Sequence, residues 1–393
     1  MATWANWSGR QTATPERLTT PTSETEIVDI VGNAAAAGLA VRATGASHSH
    51  SRIAATNGSL INMDEWQGVV QVDAEAQVPH ATIKSGSRIF SLGAQLHPFG
   101  VALQNQGDID RQSVAGATST GTHGTGTSLQ NLSSSVLAAR LVLASGEIVD
   151  ATAAATPGLF ELARHSLGGV GLLTELTLAL RPAYRLHETL WKEDPASIFA
   201  RIDDLTAATR HFEFFWMPQG DFCACKSLAE TDAGVNPLPE EKLQRIGWSH
   251  EILSSTRDDL HTEMEYSVPA ESGPACFTEV REMILRDFPD LQWPLEYRTV
   301  AADDLWISTA SGRNSVTISA HQDITLDDRP LFEACEEIFR SYDGRPHWGK
   351  VHYRTGDELA ALYPRYLDWW ATRDAHDPDN VFVTEYLASL RPG

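Results

Sequence analysis

Cysteine is scarce in this 393-residue chain, and its four thiols do not lie at the spacing of a zinc site. So few cysteines exclude a disulfide framework and favour a reducing compartment, so we expect a cytoplasmic protein without a bound metal. Two of them are two residues apart, and a strand would place both on one side. We predict unpaired, buried thiols at Cys223, Cys225, Cys276 and Cys335.

Basic residues are also few, with 30 Lys and Arg against 52 Asp and Glu and a formal net charge of −22. A surface this acidic repels phosphate backbones and anionic lipid. The first residues lack the basic and apolar regions of a signal peptide, and no apolar run is long enough to span a membrane. The composition favours an enzyme that acts on a neutral small molecule, with no nucleic-acid partner and no membrane span.

The two common nucleotide-binding motifs are missing, because there is neither a G-x-G-x-x-G after a first strand nor a G-x-x-x-x-G-K-[ST]. Two other segments combine small residues with hydroxyl and imidazole groups: GASHSHS at residues 45–51, and residues 113–127, which include GATSTGTHGTGT. Such segments let a diphosphate approach backbone N–H groups closely. Each is also typical of a solvated loop, and we expect neither a regular helix nor a strand over residues 116–127.

Two later segments place charge beside aromatic residues. Glu296 and Arg298 flank Tyr297, and residues two apart in a strand point to one face. Such an ion pair would either bind hydroxyl groups in a fixed orientation or only stabilise a sheet, and both interpretations stay open. Lys350 follows Pro-His-Trp-Gly, where partial desolvation would make it a usable electrophile or base.

The pattern of elements changes after Arg181 and Pro182. Before this point, short strands alternate with helices predicted at residues 24–38 and 89–96. After it, aromatic-rich strands such as HFEFFW at residues 211–216 alternate with longer helices. This pattern indicates an α+β protein with a domain boundary near residue 182.

Taken in order, these segments resemble the sugar lactone and alditol oxidase family. The resemblance covers nearly the whole chain, with NWSG at residues 6–9, SLGGVGLLTELTL at 166–178, PLEYR at 294–298, HWGK at 347–350 and DPDNVF at 377–382. It implies a two-domain vanillyl-alcohol-oxidase-type fold. An FAD-binding α+β domain would span residues 1–182 and a substrate-binding cap domain residues 183–350, with an antiparallel sheet flanked by helices. Residues 351–393 would return to the FAD domain.

The resemblance also implies which residues hold FAD. The family's G-x-G-H-S pattern matches residues 45–49, with Ser47 in place of the second glycine. It implies covalent attachment of FAD through His48, with His50 as the second candidate. The implied FAD site comprises Arg42, Ala43, Thr44, Gly45, Ala46, Ser47, His48, Ser49, Ser113, Thr118, Gly121, His123, Gly124, Thr125, Gly126 and Leu172.

The implied reaction is the oxidation of a carbinol in a polyol or sugar lactone, with hydride passing to flavin N5. Arg298 and Lys350 would stabilise the charge that develops on the substrate oxygen, and Glu296 would orient Arg298. His321 is a candidate base and Ser319 a candidate substrate contact, on a strand where alditol oxidase has His-x-Thr.

The electron acceptor is expected to be oxygen, which would yield hydrogen peroxide. One alternative is a dehydrogenase of the same family that uses a quinone, a cytochrome or a dye. An alternative of another class is a non-catalytic protein that binds flavin or carbohydrate. A second covalent link to FAD would need a cysteine within residues 113–127, and this segment has none.

Overall fold

The computed structural model describes residues 3–236, 243–255 and 259–393. Its strands are β1 (Trp4–Ala5), β2 (Thr12–Ala13), β3 (Arg17–Thr19), β4 (Val41–Thr44), β5 (Ser59–Asn62), β6 (Val69–Asp73), β7 (His80–Lys84), β8 (Val101–Leu103), β9 (Val136–Val142), β10 (Ile148–Thr152), β11 (Leu172–Pro182), β12 (Arg185–Glu193), β13 (His211–Met217), β14 (Phe222–Thr231), β15 (Gln244–Trp248), β16 (His261–Pro269), β17 (Leu295–Val300), β18 (Ser315–Asp323) and β19 (Arg345–Pro346).

The α-helices are α1 (Glu24–Ala36), α2 (Ile89–Leu96), α3 (Val114–Thr120), α4 (Pro157–Arg164), α5 (Pro195–Phe199), α6 (Ile202–Ala208), α7 (Ser249–Ile252), α8 (Gly273–Asp287), α9 (Arg329–Ser341), α10 (Gly356–Leu362), α11 (Tyr366–His376) and α12 (Glu385–Ser389). In the part of the chain that the structure describes, every helix is too short or too polar to cross a bilayer.

The N-terminal region contains a small parallel sheet and a larger antiparallel one. The parallel sheet has the order β3-β5-β4, and the larger sheet has the order β10-β9-β11-β7-β6, with β8 paired to β11. Strand β11 ends at Pro182, and β12 begins a different sheet at Arg185. The change of sheet lies where the composition changes, and we propose domain bounds of 1–182, 183–350 and 351–393 on this basis.

The central region is an antiparallel sheet of eight strands in the order β15-β12-β14-β13-β17-β18-β16-β19. One face is apolar and packs against α8 and α9; Phe214 stacks on Tyr297 there, with ring centroids 4.9 Å apart. Cys223 and Cys225 lie in the same core, and all four thiols are free and buried, as predicted. The alternation of side chains along each strand leaves the opposite face to charged residues.

One local expectation was wrong, because helix α3 at residues 114–120 includes the first five residues of the segment 116–127 that was predicted to be irregular. The Ser113 hydroxyl accepts from the Gly116 N–H at the start of the helix, and Gly121, at φ 75°, ends it. The Thr118 and Thr120 hydroxyls donate to carbonyls one turn earlier, each at 3.1 Å. Capping at both ends and the burial of Val114 and Ala117 therefore stabilise a helix of low intrinsic propensity.

Most of the C-terminal segment packs against the N-terminal region, while Val351 and Tyr353 at its start pack against the core of the central sheet. The Trp369 indole N–H donates to the His165 carbonyl at 3.2 Å, and Tyr366 and Trp369 share a core with α4. Val381 and Phe382 pack beside α1 and β4. The helices of the C-terminal segment therefore complete the core of the N-terminal region.

Candidate active site

Two adjoining cavities contain most of the residues that the sequence singled out. The first, here called the loop cavity, is lined by residues 42–49, Ser113 and Leu172. The second, the sheet cavity, has a volume of about 470 Å³ and is lined by the charged face of the eight-stranded sheet. Four residues line both cavities and mark their junction: Gln112, Thr122, His347 and Lys350.

Unpaired hydrogen-bonding groups characterise the loop cavity. The backbone N–H groups of residues 46–49 donate to no acceptor within the described chain. Ser47 has φ 56°, and its hydroxyl accepts from the Trp4 indole N–H at 3.0 Å, which holds the left-handed turn in place of a glycine. Ser85 Oγ and Gln112 Oε1 are buried in the wall without a partner in the described residues. These groups are available to a bound ligand.

The two candidate histidines lie in different places. His48 lines the loop cavity and stacks on Trp7, with ring centroids 4.8 Å apart. Burial and the nearby Lys350 lower the pKa of His48 to about 4, so the ring is neutral at pH 7. His50 lines neither cavity, and its Nε2 lies 3.6 Å from Glu263 Oε2. Of these two candidates, His48 is therefore the one that faces the loop cavity.

Several residues of the predicted FAD site lie outside the lining of the loop cavity. The Thr118 hydroxyl donates within α3, the Thr125 hydroxyl donates to the Phe212 carbonyl, and the Gly126 N–H donates to the Thr299 carbonyl at 2.9 Å. Thr125 and Gly126 thus join the N-terminal region to the central sheet. His123 lines the sheet cavity and not the loop cavity. The predicted residues that do not line the loop cavity are Thr118, Gly121, His123, Gly124, Thr125 and Gly126.

Other residues take their place in the wall of the loop cavity. Ser119 and Thr120 come from α3, and Ser166, Leu167 and Gly168 come from the turn before β11. The glycine-rich run SLGG at residues 166–169 was the available sequence signal for this second group.

A network of buried charges surrounds Arg298 in the sheet cavity. Its guanidinium contacts Glu296 and also donates to Glu213 Oε2 at 3.0 Å. Burial by itself would lower the pKa of Arg298, but the two carboxylates outweigh it and raise that pKa. Lys226 Nζ continues the network, at 3.4 Å from Glu213 Oε1 and 3.0 Å from Asp108 Oδ1. Arg298 is therefore permanently charged and held on two sides.

Glu263 of strand β16 holds Lys350, because the Lys350 ammonium group contacts the Glu263 carboxylate. Two strand positions further along, Glu265 accepts from the Ser319 hydroxyl at 2.9 Å and lies 2.9 Å from His123 Nε2. Ser319 does not line either cavity, so its predicted role as a substrate contact is not supported by its position. Lys350, in contrast, lies at the junction of both.

The carboxylates that hold the cations in place were not predicted from the sequence. Glu263 and Glu265 alternate along β16, and Glu213 occupies the corresponding face of β13. An aligned row results because Glu265 is paired with Ser319, and Ser319 with Glu296, across three strands. The signal was present as charged residues at every second position of TEMEYS, which is unusual for a buried strand.

The comparisons with known proteins agree over the whole chain. A family model described as D-arabinono-1,4-lactone oxidase matches residues 176–246 and 238–390, and an FAD binding domain model matches residues 15–152. The chain belongs to the D-arabinono-1,4-lactone oxidase family.

Relatives of this lactone oxidase family include enzymes with several names. L-gulono-1,4-lactone dehydrogenase of Mycobacterium tuberculosis is 34% identical, over 98% of this chain and 97% of that protein. Alditol oxidase of Streptomyces sp. is 30% identical over 99% of each chain. A cholesterol oxidase from B. sterolicum has the same fold, with a TM-score of 0.84 at 16% identity over 99% of this chain and 96% of that one.

These findings confirm the predicted fold and cofactor. The protein has the two-part, α+β vanillyl-alcohol-oxidase-type fold and is an FAD-dependent oxidoreductase that acts on CH–OH groups. The loop cavity fits FAD by the chemistry of its donors, because a diphosphate accepts hydrogen bonds from the free N–H groups of residues 46–49. The unpaired Ser85 and Gln112 oxygens are suited to the polar parts of the same molecule.

Proposed function

We propose that this enzyme oxidises a carbinol of a neutral polyol or sugar lactone at the junction of the two cavities. The observation that carries the proposal is the position of Lys350, which lines both the loop cavity and the sheet cavity. The substrate class follows from relatives that are named for gulonolactone, arabinonolactone and alditols.

FAD, when bound, supplies the acceptor for the hydride that leaves the carbinol carbon. Lys350 and Arg298 stabilise the negative charge that develops on the carbinol oxygen. Glu263 holds the Lys350 ammonium group, and Glu213 and Glu296 hold the Arg298 guanidinium. Because both cations are fixed before the substrate arrives, little reorganisation is needed as charge develops.

His321 is the candidate base for the carbinol proton. Its Nδ1 lies 2.9 Å from the Pro294 carbonyl, which can only accept, so Nε2 of the neutral ring is free to receive a proton. Burial, opposed by Glu263, lowers the pKa of His321 to about 4, so the ring is neutral at pH 7. The low pKa also makes His321 a weak base. Full transfer of the carbinol proton to His321 is therefore expected only as hydride leaves the carbinol carbon.

The decisive experiment is anaerobic reduction of the purified, FAD-loaded enzyme. Mixing with L-gulono-1,4-lactone, D-arabinono-1,4-lactone or xylitol should bleach the flavin absorbance with at least one of them. If the flavin stays oxidised with every lactone and alditol tested, the non-catalytic binding role replaces the enzymatic one.

We also propose that FAD is bound covalently through His48, which faces the loop cavity as a neutral imidazole. Acid-precipitated wild-type protein should keep yellow, fluorescent flavin, and His48→Ala should release it. His50→Ala is the matched control and should retain the flavin. Free flavin in the wild-type supernatant would contradict the covalent link.

We also propose a cytoplasmic location, which the four free thiols support.

Oxygen is the proposed electron acceptor. A dye- or quinone-dependent reaction is the second candidate, because the M. tuberculosis relative is named a dehydrogenase. Turnover under air should release one peroxide per substrate oxidised. Turnover that requires an added dye or quinone, with no peroxide, would favour the dehydrogenase.

A further inference from the structure

The NWSG motif at residues 6–9 lies in a hairpin that packs against the loop containing His48. This N-terminal hairpin comprises residues 4–13, with β1 and β2 as its paired strands. The Gly9 N–H donates to the Asn6 carbonyl at 2.9 Å, and Gly9 has φ 73°, a conformation that favours glycine. The last residue of the motif therefore closes a tight turn of the hairpin.

The hairpin holds both residues that flank His48. The Trp7 N–H donates to the Ser47 carbonyl at 2.8 Å, and Asn6 Nδ2 donates to the Ser49 carbonyl at 3.0 Å. The Asn6 side chain is itself oriented, because its Oδ1 accepts from a backbone N–H of the same hairpin at 2.9 Å. The backbone on either side of His48 is thus fixed by two neighbouring residues of the motif.

The His48 imidazole is oriented by stacking rather than by hydrogen bonds. Among the described residues, neither ring nitrogen of His48 has a hydrogen-bond partner. The Trp7 indole lies against the ring, with centroids 4.8 Å apart and planes 20° apart, a geometry typical of stacked aromatic pairs. The stacking therefore sets the plane of the imidazole and leaves both nitrogens free to react.

The plane of the ring matters because the lone pair of a neutral imidazole nitrogen lies in that plane. The terminal torsion of a histidine side chain has a broad preference, so a ring without a neighbour samples many orientations. A reacting pair that is already aligned avoids this loss of orientational freedom on the way to bond formation. Stacking on Trp7 should therefore raise the rate at which His48 forms a bond to a bound molecule.

The His48 loop is also held from a second side. The His50 N–H donates to the Gly349 carbonyl at 2.6 Å, and the Ser51 hydroxyl donates to another carbonyl of the HWGK segment at 2.8 Å. Neither of these bonds involves the Trp7 side chain. A shorter side chain at Trp7 should therefore leave the loop in place, while the imidazole loses its stacking partner.

We propose that the N-terminal hairpin positions His48 for covalent attachment of FAD, with Trp7 as the positioning residue. The inference rests on the proposed link through His48. Attachment replaces a C–H bond of the isoalloxazine methyl group by a C–N bond to the imidazole. The methyl carbon gives up a proton and two electrons, and the imidazole gives up its N–H proton. Oxygen takes up both electrons and both protons and is reduced to hydrogen peroxide.

The test follows attachment in full-length enzyme that is expressed in riboflavin-starved cells, purified and incubated with FAD under air. Acid-insoluble flavin over time measures covalent attachment, and ultrafiltration before acid treatment measures noncovalent binding. Trp7→Leu should bind FAD with similar affinity but attach it about ten-fold more slowly than wild type, the loss expected from one aromatic pair. Trp7→Phe restores a stacking ring and should attach FAD at close to the wild-type rate.

Trp191→Leu is the matched control. Trp191 also lies against an aromatic ring, 5.9 Å from that of Phe212, but it packs in the core of the central sheet. This variant should attach FAD at the wild-type rate. If Trp7→Leu does not fold, Asn6→Asp replaces it, because this change removes the donor to the Ser49 carbonyl and keeps the acceptor within the hairpin. Asn6→Asp should also slow attachment.

A wild-type rate of attachment in folded Trp7→Leu, or in Asn6→Asp if that variant replaces it, would overturn the positioning role. Equal slowing in Trp191→Leu or in Trp7→Phe would overturn it too, as would a loss of noncovalent FAD binding that accounts for the whole effect. Wild-type enzyme that never forms acid-insoluble flavin would refute the link through His48 together with the inference. Slow attachment in Trp7→Leu, in an enzyme that oxidises no lactone or alditol, would support the inference and refute the proposed reaction.

Discussion

The two cavities of this enzyme are built in opposite ways. The loop cavity is formed largely by short continuous segments, with residues 42–49 as its main wall, and its free polar groups are backbone N–H groups and uncharged side chains. The sheet cavity is formed by side chains from several strands, and its polar groups are mostly charged or imidazole. Residues as distant as Asp108 and Lys350 meet there.

The difference follows from what each cavity must do. A diphosphate is recognised by closely spaced N–H groups, which a single turn can supply. Charge that develops on one substrate oxygen needs fixed cations from several directions, and only separate strands supply these. The proposed diphosphate contact at residues 46–49 is therefore a local property of the chain, whereas the proposed chemistry is a property of the sheet.

The largest expected effect tests the junction of the two cavities. Lys350→Ala should slow anaerobic flavin reduction by about a hundred-fold, since loss of one such donor costs about 3 kcal/mol of activation free energy. Lys192→Ala, at an exposed position of β12, is the control and should react at the wild-type rate. The FAD content of wild type, Lys350→Ala and Lys192→Ala should be similar. If Lys350→Ala folds and reacts at the wild-type rate, the lysine has no part in the mechanism.

The next prediction concerns the contact between the N-terminal region and the central region. Asp303 accepts from Asn131 Nδ2 at 3.0 Å and from the Ser308 hydroxyl at 2.6 Å. Burial raises the pKa of Asp303 to about 6, well above the ordinary value for aspartate.

Because the folded-state pKa is the higher one, the stability that this group contributes is complete below about pH 4 and is lost as the pH rises through about 6. Relative to Asp303→Asn, wild-type protein should lose on the order of 2–3 kcal/mol in free energy of unfolding across that window. Urea unfolding at pH 4 and pH 7 measures the difference. Parallel curves for the two proteins would contradict the raised pKa.

The local construction of the loop cavity can be broken at one glycine. A Cβ added at Gly45 would lie 2.3 Å from Ser113 Oγ, whereas one at Gly32 on α1 meets nothing within 4 Å. Gly45→Ala should therefore cost about 1–3 kcal/mol and reduce the FAD content of the purified protein. Gly32→Ala should keep the wild-type FAD content, and equal content in both variants would show that the turn tolerates the change.

The smallest expected effect tests the net charge of the sheet cavity. The sheet cavity is lined by five carboxylate residues and by two basic residues, Arg298 and Lys350. An anionic substrate is therefore disfavoured, and L-gulonate should be oxidised about ten-fold less efficiently than its neutral 1,4-lactone. Steady-state kcat/KM for the two compounds measures this, and equal values would contradict a net negative cavity.

Several features of the fold could be predicted from local patterns. Helix α2 was predicted at residues 89–96, its bounds in the structure, because an apolar periodicity ends at Pro98 and Gly100. The missed helix α3 shows the limit of such patterns. Its glycine and threonine residues have low helix propensity, and the burial of Val114 and Ala117 in the core of the N-terminal region, which stabilises the helix, is a tertiary contribution.

The chain's own order of residues was sufficient to single out residues 45–49, the Glu296–Arg298 pair and Lys350 as candidates, because each stands out by the residues next to it in sequence. Tertiary structure alone decided that His48 rather than His50 faces the loop cavity, that Ser319 bonds Glu265, and that Glu263 holds Lys350. The physical reason is that buried charges select their partners across strands. The register of the sheet, set by packing of its apolar face, determines which carboxylate meets which cation.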